Sequence, residues 1–327
     1  MKHDRTPSPS GTPRTTPFGS ARTAVPHVVT VGIDGSYASM DAADWAAREA
    51  LRHRAPLRLV HAGAPPALPA RDRRVLRPAD RARGVLDRAA ITLAYVHPAL
   101  EIHAQQPRGP AVPALLAASA QAESLVLGSR GLSGPTGFGG FLVGSVAGGV
   151  AARAERPVVL VRAGERPEDA HVPDAAGVPS RGTPYRPVVL GVDIEHPGDP
   201  AFAYAFAAAE VRGAPLHAVH AWTVRRPATG PPPSTAEPTD LPGLLGAEAD
   251  ARDRLGTLLA PWRRAFPQVE VVAEVVFGRP GHHLLKASLG ASLLVIGRRV
   301  TTGPRLGRTA HSAVHRVSCP VAVVPYA

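Results

Sequence analysis

Residues Leu125 to Ala152 read LVLGSRGLSGPTGFGGFLVGSVAGGVAA, and the rest of the chain takes its frame from them. A short apolar run, Ser124 to Leu127, ends in Gly128-Ser129-Arg130-Gly131. Twelve residues rich in glycine follow, and Gly144-Ser145 then opens a segment of small apolar residues. Strand, glycine loop and helix start, in that order, present backbone N–H groups and the positive end of a helix to a phosphate. Side chains would hold the backbone away from the anion, so glycine suits the task. Ser145 stands at the expected N-cap, where its hydroxyl can serve a backbone N–H or a phosphate oxygen. Arg130, between two glycines, is placed to swing over the anion. A ligand-free surface loop is the competing reading of the glycines taken alone. Two familiar phosphate loops are excluded. GxxxxGK[ST] is missing, the lysines being Lys2 and Lys286, and no GxGxxG joins the first strand to the first helix. A membrane span is excluded too. Residues 131 to 152 are uncharged but hold eight glycines and a proline, too polar for the roughly 20 mostly apolar residues required.

The 327 residues suggest about two domains, each able to bury a core. Hydrophobic residues make up 44% and aromatics 5%, so the cores must be built from Ala, Val and Leu. The net charge of +11 is carried almost entirely by arginine. These arginines are scattered, with no basic run interleaved with aromatics, so a nucleic-acid partner is not expected. One cysteine, Cys319, precludes an intramolecular disulfide and a cysteine-based zinc site. It lies in the apolar pattern Cys-Pro-Val-Ala-Val-Val, where a buried, inert thiol is expected. Residues 1–26 are rich in Ser, Thr, Pro and Arg and lack the apolar core of a secretory signal; they read as a disordered tail on a cytoplasmic protein.

Working along the chain, His27 to Ile33 reads as a buried strand ending at Asp34-Gly35-Ser36. Asp41 to His53 has helical spacing. Leu57 to Ala62, Leu100 to Gln105, Ser124 to Leu127 and Pro157 to Arg162 are further strands. Asp80 to Tyr95, Pro110 to Ala120 and the segment after Gly144 are helices. Strands alternating with helices imply an α/β fold with a parallel sheet covered on both faces. The order then begins again. Val188-Val-Leu-Gly-Val-Asp193 repeats Thr30-Val-Gly-Ile-Asp34, and Ala214-Pro-Leu-His-Ala-Val-His-Ala221 repeats Ala55-Pro-Leu-Arg-Leu-Val-His-Ala62. Leu294-Val-Ile-Gly-Arg-Arg299 repeats Leu125 to Arg130, and Cys319 to Val324 repeats Arg156 to Val161. Motifs kept in order at near-constant offset mark a duplicated domain. The expected layout is a tail (1–26), a first domain (27–163), a linker (164–185) and a second domain (186–327).

The copies differ where chemistry would be. Asp34-Gly35-Ser36 becomes Asp193-Ile194-Glu195. The second loop, Gly297-Arg-Arg-Val300, has six residues before Gly307-Arg308. It has lost a glycine and the serine and should grip phosphate less well, although Arg298, Arg299 and Arg308 offer charge in their place.

These motifs resemble the universal stress protein family in its tandem two-domain form. The carriers are GIDGS, LVHA, and the Gly-x2-Gly-x9-Gly-[ST] signature with the PVVLV strand behind it. The resemblance implies two five-stranded parallel α/β sandwiches of the adenine nucleotide alpha hydrolase-like, Rossmann-like type, forming a pseudo-dimer. It also implies ATP, with or without Mg, at the carboxyl ends of the strands, where open sheets bind ligands. Carried over by position, it sets Ile33 beside the adenine, Asp34 near the ribose and the Ala62 backbone on the adenine edge. Gly128, Arg130, Gly131, Gly144 and Ser145 surround the phosphates, and Gly32, Leu127 and Val146 complete the site. The spacing of twelve before Gly144, rather than nine, departs from the signature.

The implied role is a regulatory, non-enzymatic, nucleotide-binding stress module with ATP mainly in copy one. A nucleotide-free interaction module and an ATP-hydrolysing or adenylate-chemistry enzyme are the alternatives. The last would need a phosphate-activating lysine or a magnesium-binding acid cluster, which the glycine loop lacks. His311 and His315, four apart, have helical metal-ligand spacing without an acidic partner. In the resemblance the fifth strand of each domain lies at a sheet edge. An apolar edge needs a partner, so residues 157 to 161 and 320 to 324 are expected to pair the domains within one chain, a homodimer remaining compatible.

Overall fold

The computed structural model describes residues 27–63, 78–129, 144–223, 241–300 and 305–327. The N-terminal tail, the loop containing Arg130 and Gly131, and most of the proline-rich insert after Arg225 lie outside them.

Copy one runs β1 (Val29–Gly32), α1 (Tyr37–His53), β2 (Leu57–Val60), α2 (Pro78–Val96), β3 (Ile102–Gln105), α3 (Ala111–Ala120), β4 (Ser124–Ser129), α4 (Ser145–Ala151) and β5 (Val158–Arg162). Copy two runs β6 (Val188–Gly191), α5 (Asp199–Arg212), β7 (Leu216–Trp222), α6 (Leu241–Ala265), β8 (Val271–Phe277), α7 (Pro280–Ser288), β9 (Leu293–Arg299), α8 (Arg308–Arg316) and β10 (Val321–Tyr326). Helix α1 begins four residues before the expected Asp41. Ser36 supplies the start signal, its hydroxyl accepting the Ser39 amide at 3.2 Å. Ala38, Ala42, Trp45 and Ala46 then form its buried face.

Among the described residues ten strands form one sheet, in the order β3-β2-β1-β4-β5-β10-β9-β6-β7-β8. Every pairing is parallel except β5 with β10, where Val321 faces Leu160 and Val323 faces Val158. Alternating side chains feed two apolar layers, each continuous across both copies. Val29, Val31, Leu190 and Val324 face α1, α2, α5 and α6. Leu125, Leu127, Ile296 and Val323 face α3, α4, α7 and α8. Buried on both faces, the strands carry the apolar runs that identify a covered parallel sheet.

The segment expected as a linker is a folded strap. It makes a short 3-10 turn (Pro167–Ala170) and a bridge from His171 to Tyr185. Glu165 meets Arg48 of α1 at 2.5 Å, and the Tyr185 hydroxyl accepts from Arg52 at 3.1 Å. Arg186 donates to the carbonyl of Leu289 in copy two at 3.3 Å. Between the copies, Glu49 of α1 accepts from Arg212 of α5 at 2.6 Å, the two side chains being 3% and 2% exposed. Arg298 also crosses over, donating to the Ala154 carbonyl. Cys319 is a free, buried thiol, and burial pushes it up to about 12. That makes it unreactive at neutral pH. No helix of the described residues is long and apolar enough to cross a membrane.

Candidate functional site

Register brings the site together. Gly32, the last residue of β1, lies level with Val60 of β2 and Leu127 of β4. Past these carboxyl ends a cavity of about 320 Å³ opens. Its apolar floor comprises Ile33, Val60, Leu115 and Leu127, all buried. Asp34 and Ala62 stand at one end, and Gly128, Gly144, Ser145 and Val146 at the other. Nine of the eleven positions expected to hold nucleotide therefore line one space; Arg130 and Gly131 lie outside the described residues.

Local hydrogen bonds set each part. Asp34 Oδ1 accepts the Ser36 amide at 2.9 Å and the Ser36 hydroxyl at 2.5 Å, closing the turn from β1 into α1. The backbone amide of Asp34 donates to the Ser39 hydroxyl at 3.3 Å. His61 Nδ1 meets the Ile33 carbonyl at 2.7 Å. A carbonyl can only accept, so Nδ1 carries a proton. His220 makes the same bond to Val192 at 3.0 Å in copy two, a shared device that ties neighbouring strand ends together.

Two expectations about the glycine motif change. Ser145 is the first helical residue rather than the N-cap; Gly144 holds that place, with no side-chain cap. Its hydroxyl is therefore not committed to the cap bond that the spacing suggested. Gly128 does line the cavity, but packing already demands it: a Cβ there would lie 2.4 Å from the Ala38 carbonyl oxygen of α1. Gly32 is less strictly held, since a Cβ would meet the end of the Leu127 side chain at 2.6 Å, and that methyl can shift where the Ala38 backbone cannot. Gly144 is different. Its φ of −57° suits any residue, and among the described residues nothing lies within 4 Å of a Cβ built on it. The described residues around it explain no preference for glycine.

Ser39, Ala111 and Leu115 also line the cavity and were missed by sequence reading. The repeat held a signal for one of them. Leu115 sits over Gly32 as Leu284 sits over Gly191, at the offset of 169 that relates the glycine loops. Among the described residues no group of three or more His, Cys, Asp or Glu could hold a metal ion. His311 and His315 come together, ring centroids 4.4 Å apart, as a pair.

Comparison with known proteins agrees with this architecture. The model of the universal stress protein family matches residues 27–162 and 184–325. A universal stress protein of Mycobacterium tuberculosis is 32% identical over 310 residues, covering 91% of this chain and 96% of that protein. One from Mycolicibacterium smegmatis is 31% identical over 317 residues, covering 93% and 98%. The crystal structure of a universal stress protein from Archaeoglobus fulgidus superposes with a TM-score of 0.63 at 18% identity, covering 91% of this chain and 98% of that one. Two family matches in tandem, near full-length relatives and the shared fold lead to one conclusion: the chain belongs to the universal stress protein family.

Proposed function

We propose that copy one binds an adenine nucleotide, ATP, and that the protein is a nucleotide-dependent regulatory module of the cytoplasmic stress response rather than an enzyme. The observation that carries this reading is the single cavity at the strand ends. It combines an apolar slot sized for a base, a carboxylate at Asp34 for a ribose, and a backbone left open at Gly144. The slot of Ile33, Val60, Leu115 and Leu127 would take the adenine face by apolar contact. The exposed backbone and the Ser145 hydroxyl would take phosphate oxygens. Because α4 has only seven residues, the directed N–H groups count for more here than the helix dipole. The β5–β10 ladder joins the copies as an internal counterpart of a dimer, so occupancy of copy one is felt by a surface that both copies build.

Calorimetric titration of the full chain with ATP tests the reading. About one nucleotide per chain is expected, because the glycine loop is complete in copy one alone. Two equivalent sites would show that the arginines of copy two replace its lost glycines. No binding would leave the nucleotide-free interaction module.

A further inference from the structure

A second cavity, about 430 Å³, lies between the two copies. One wall is α4 along its whole length, from Gly144 and Ser145 through Gly148 and Gly149 to Ala152. The other is copy-two chain, from Arg305 to His311 and His315 of α8. Gly144 and Ser145 line this cavity and the one at the strand ends, so the two spaces adjoin there. Glycine on the α4 side adds no side chain to the described lining. The facing wall supplies one guanidinium and two imidazoles, with Arg305 and His311 exposed to solvent. No carboxylate is among the described lining residues. Donors without an acid among them select an anion.

We infer that this cleft is a polyphosphate site that takes the terminal phosphates of a nucleotide seated in copy one. The inference rests on the nucleotide reading above. Copy two, with its own glycine loop shortened, thereby completes the site of its neighbour. Arg305 is the charge partner, and His311 and His315 are donors beside it. Discrimination between nucleotides by phosphate number would come from copy two, while recognition of the base stays in copy one.

The test measures affinities of the full chain for AMP, ADP, ATP and inorganic tripolyphosphate, in wild type, Arg305→Gln, and the double variant His311→Gln/His315→Gln. Arg305→Gln is expected to weaken ATP and tripolyphosphate roughly tenfold, the effect of one charge-assisted hydrogen bond, with AMP unchanged. The double variant should act in the same direction. Circular dichroism checks that these substitutions leave the fold intact. Variants that weaken AMP and ATP alike, or leave ATP and tripolyphosphate at wild-type affinity, overturn the inference. Tripolyphosphate bound through these residues without any adenine nucleotide would sink the nucleotide reading and keep the cleft. AMP binding with no response to added phosphates would do the reverse.

Discussion

The two copies keep a glycine at the same point of their fourth strands and set different atoms against it. At Gly128, α1 lies directly on β4, with the Ser39 amide nitrogen 2.8 Å from the place of a Cβ. At Gly297, the neighbour is the Tyr326 ring, 2.7 Å from a Cβ, and the same ring lies 2.6 Å from one built on Gly198. An aromatic ring thus spaces α5 from β9 where copy one has backbone against backbone. Burial first, then the nearby Asp193 carboxylate, raises the Tyr326 phenol, which places this ring near the counterpart of Asp34. A glycine retained in both copies is therefore no sign of a shared ligand, because close packing alone accounts for it. Gly144 and Gly307 are the informative pair. Both have ordinary negative φ, and among the described residues neither has an atom within 4 Å of a Cβ.

The largest expected effect probes the asymmetry of the joint between the copies. Copy one carries Glu49 where the repeat places Ala208 in copy two, so the acid receives Arg212 from across the joint. Arg212→Ala should lower stability by about 3 kcal/mol in chemical denaturation, since it strands a buried carboxylate. A loss below about 1 kcal/mol would mean that Arg52, 2.6 Å away, suffices alone. The pair also sets an acid limit. Burial by itself would raise the Glu49 carboxyl, but Arg212, His53 and Arg52 outweigh it and hold the group well below the usual carboxylate range. As pH falls, the unfolded chain takes up the proton first. The stabilisation is therefore whole above about pH 4.3 and fades below it. In Arg212→Ala the acid unfolding midpoint should move upward.

The second comparison is made in the cavities. Gly144→Asp should weaken ATP more than a hundredfold, about 3 kcal/mol, by putting a carboxylate where phosphate meets backbone. Gly307→Asp should leave both affinity and stoichiometry unchanged. Equal losses in calorimetry would show two working sites; no loss in either would remove the helix starts from binding.

The smallest contrast, about 2 kcal/mol, separates the two fourth strands. Gly128→Ala forces its methyl onto the α1 backbone and should cost about 3 kcal/mol. Gly297→Ala meets the ring of Tyr326, a side chain rather than backbone, and should cost about 1 kcal/mol. Thermal unfolding of the pair reads the difference. Equal costs would show that Tyr326 is as fixed as backbone.

Much of this was legible in the chain itself. Strand and helix periods are local, and duplicated motifs at near-constant offset needed no coordinates. Nine positions of the candidate site came from the family resemblance, and they line one cavity because strand ends in parallel register fall together. The start of α1 was less legible, since its apolar spacing is clearest from Ala42 onward, while the Ser36 cap lies before it. Ser39 and Leu115 carry no motif of their own and reach the cavity only through packing.

By itself, then, the sequence determined a duplicated parallel α/β architecture and family membership, because burial patterns and repeats are written in short windows. Only the tertiary structure decided that the strap is folded, that Arg212 serves Glu49, and that Gly128 answers to Ala38 while Gly297 answers to Tyr326. It also decided that α8 and α4 line one cavity between the copies. Each of these contacts joins residues far apart in the chain, and which atoms fill a given space is settled by close packing across the whole sheet.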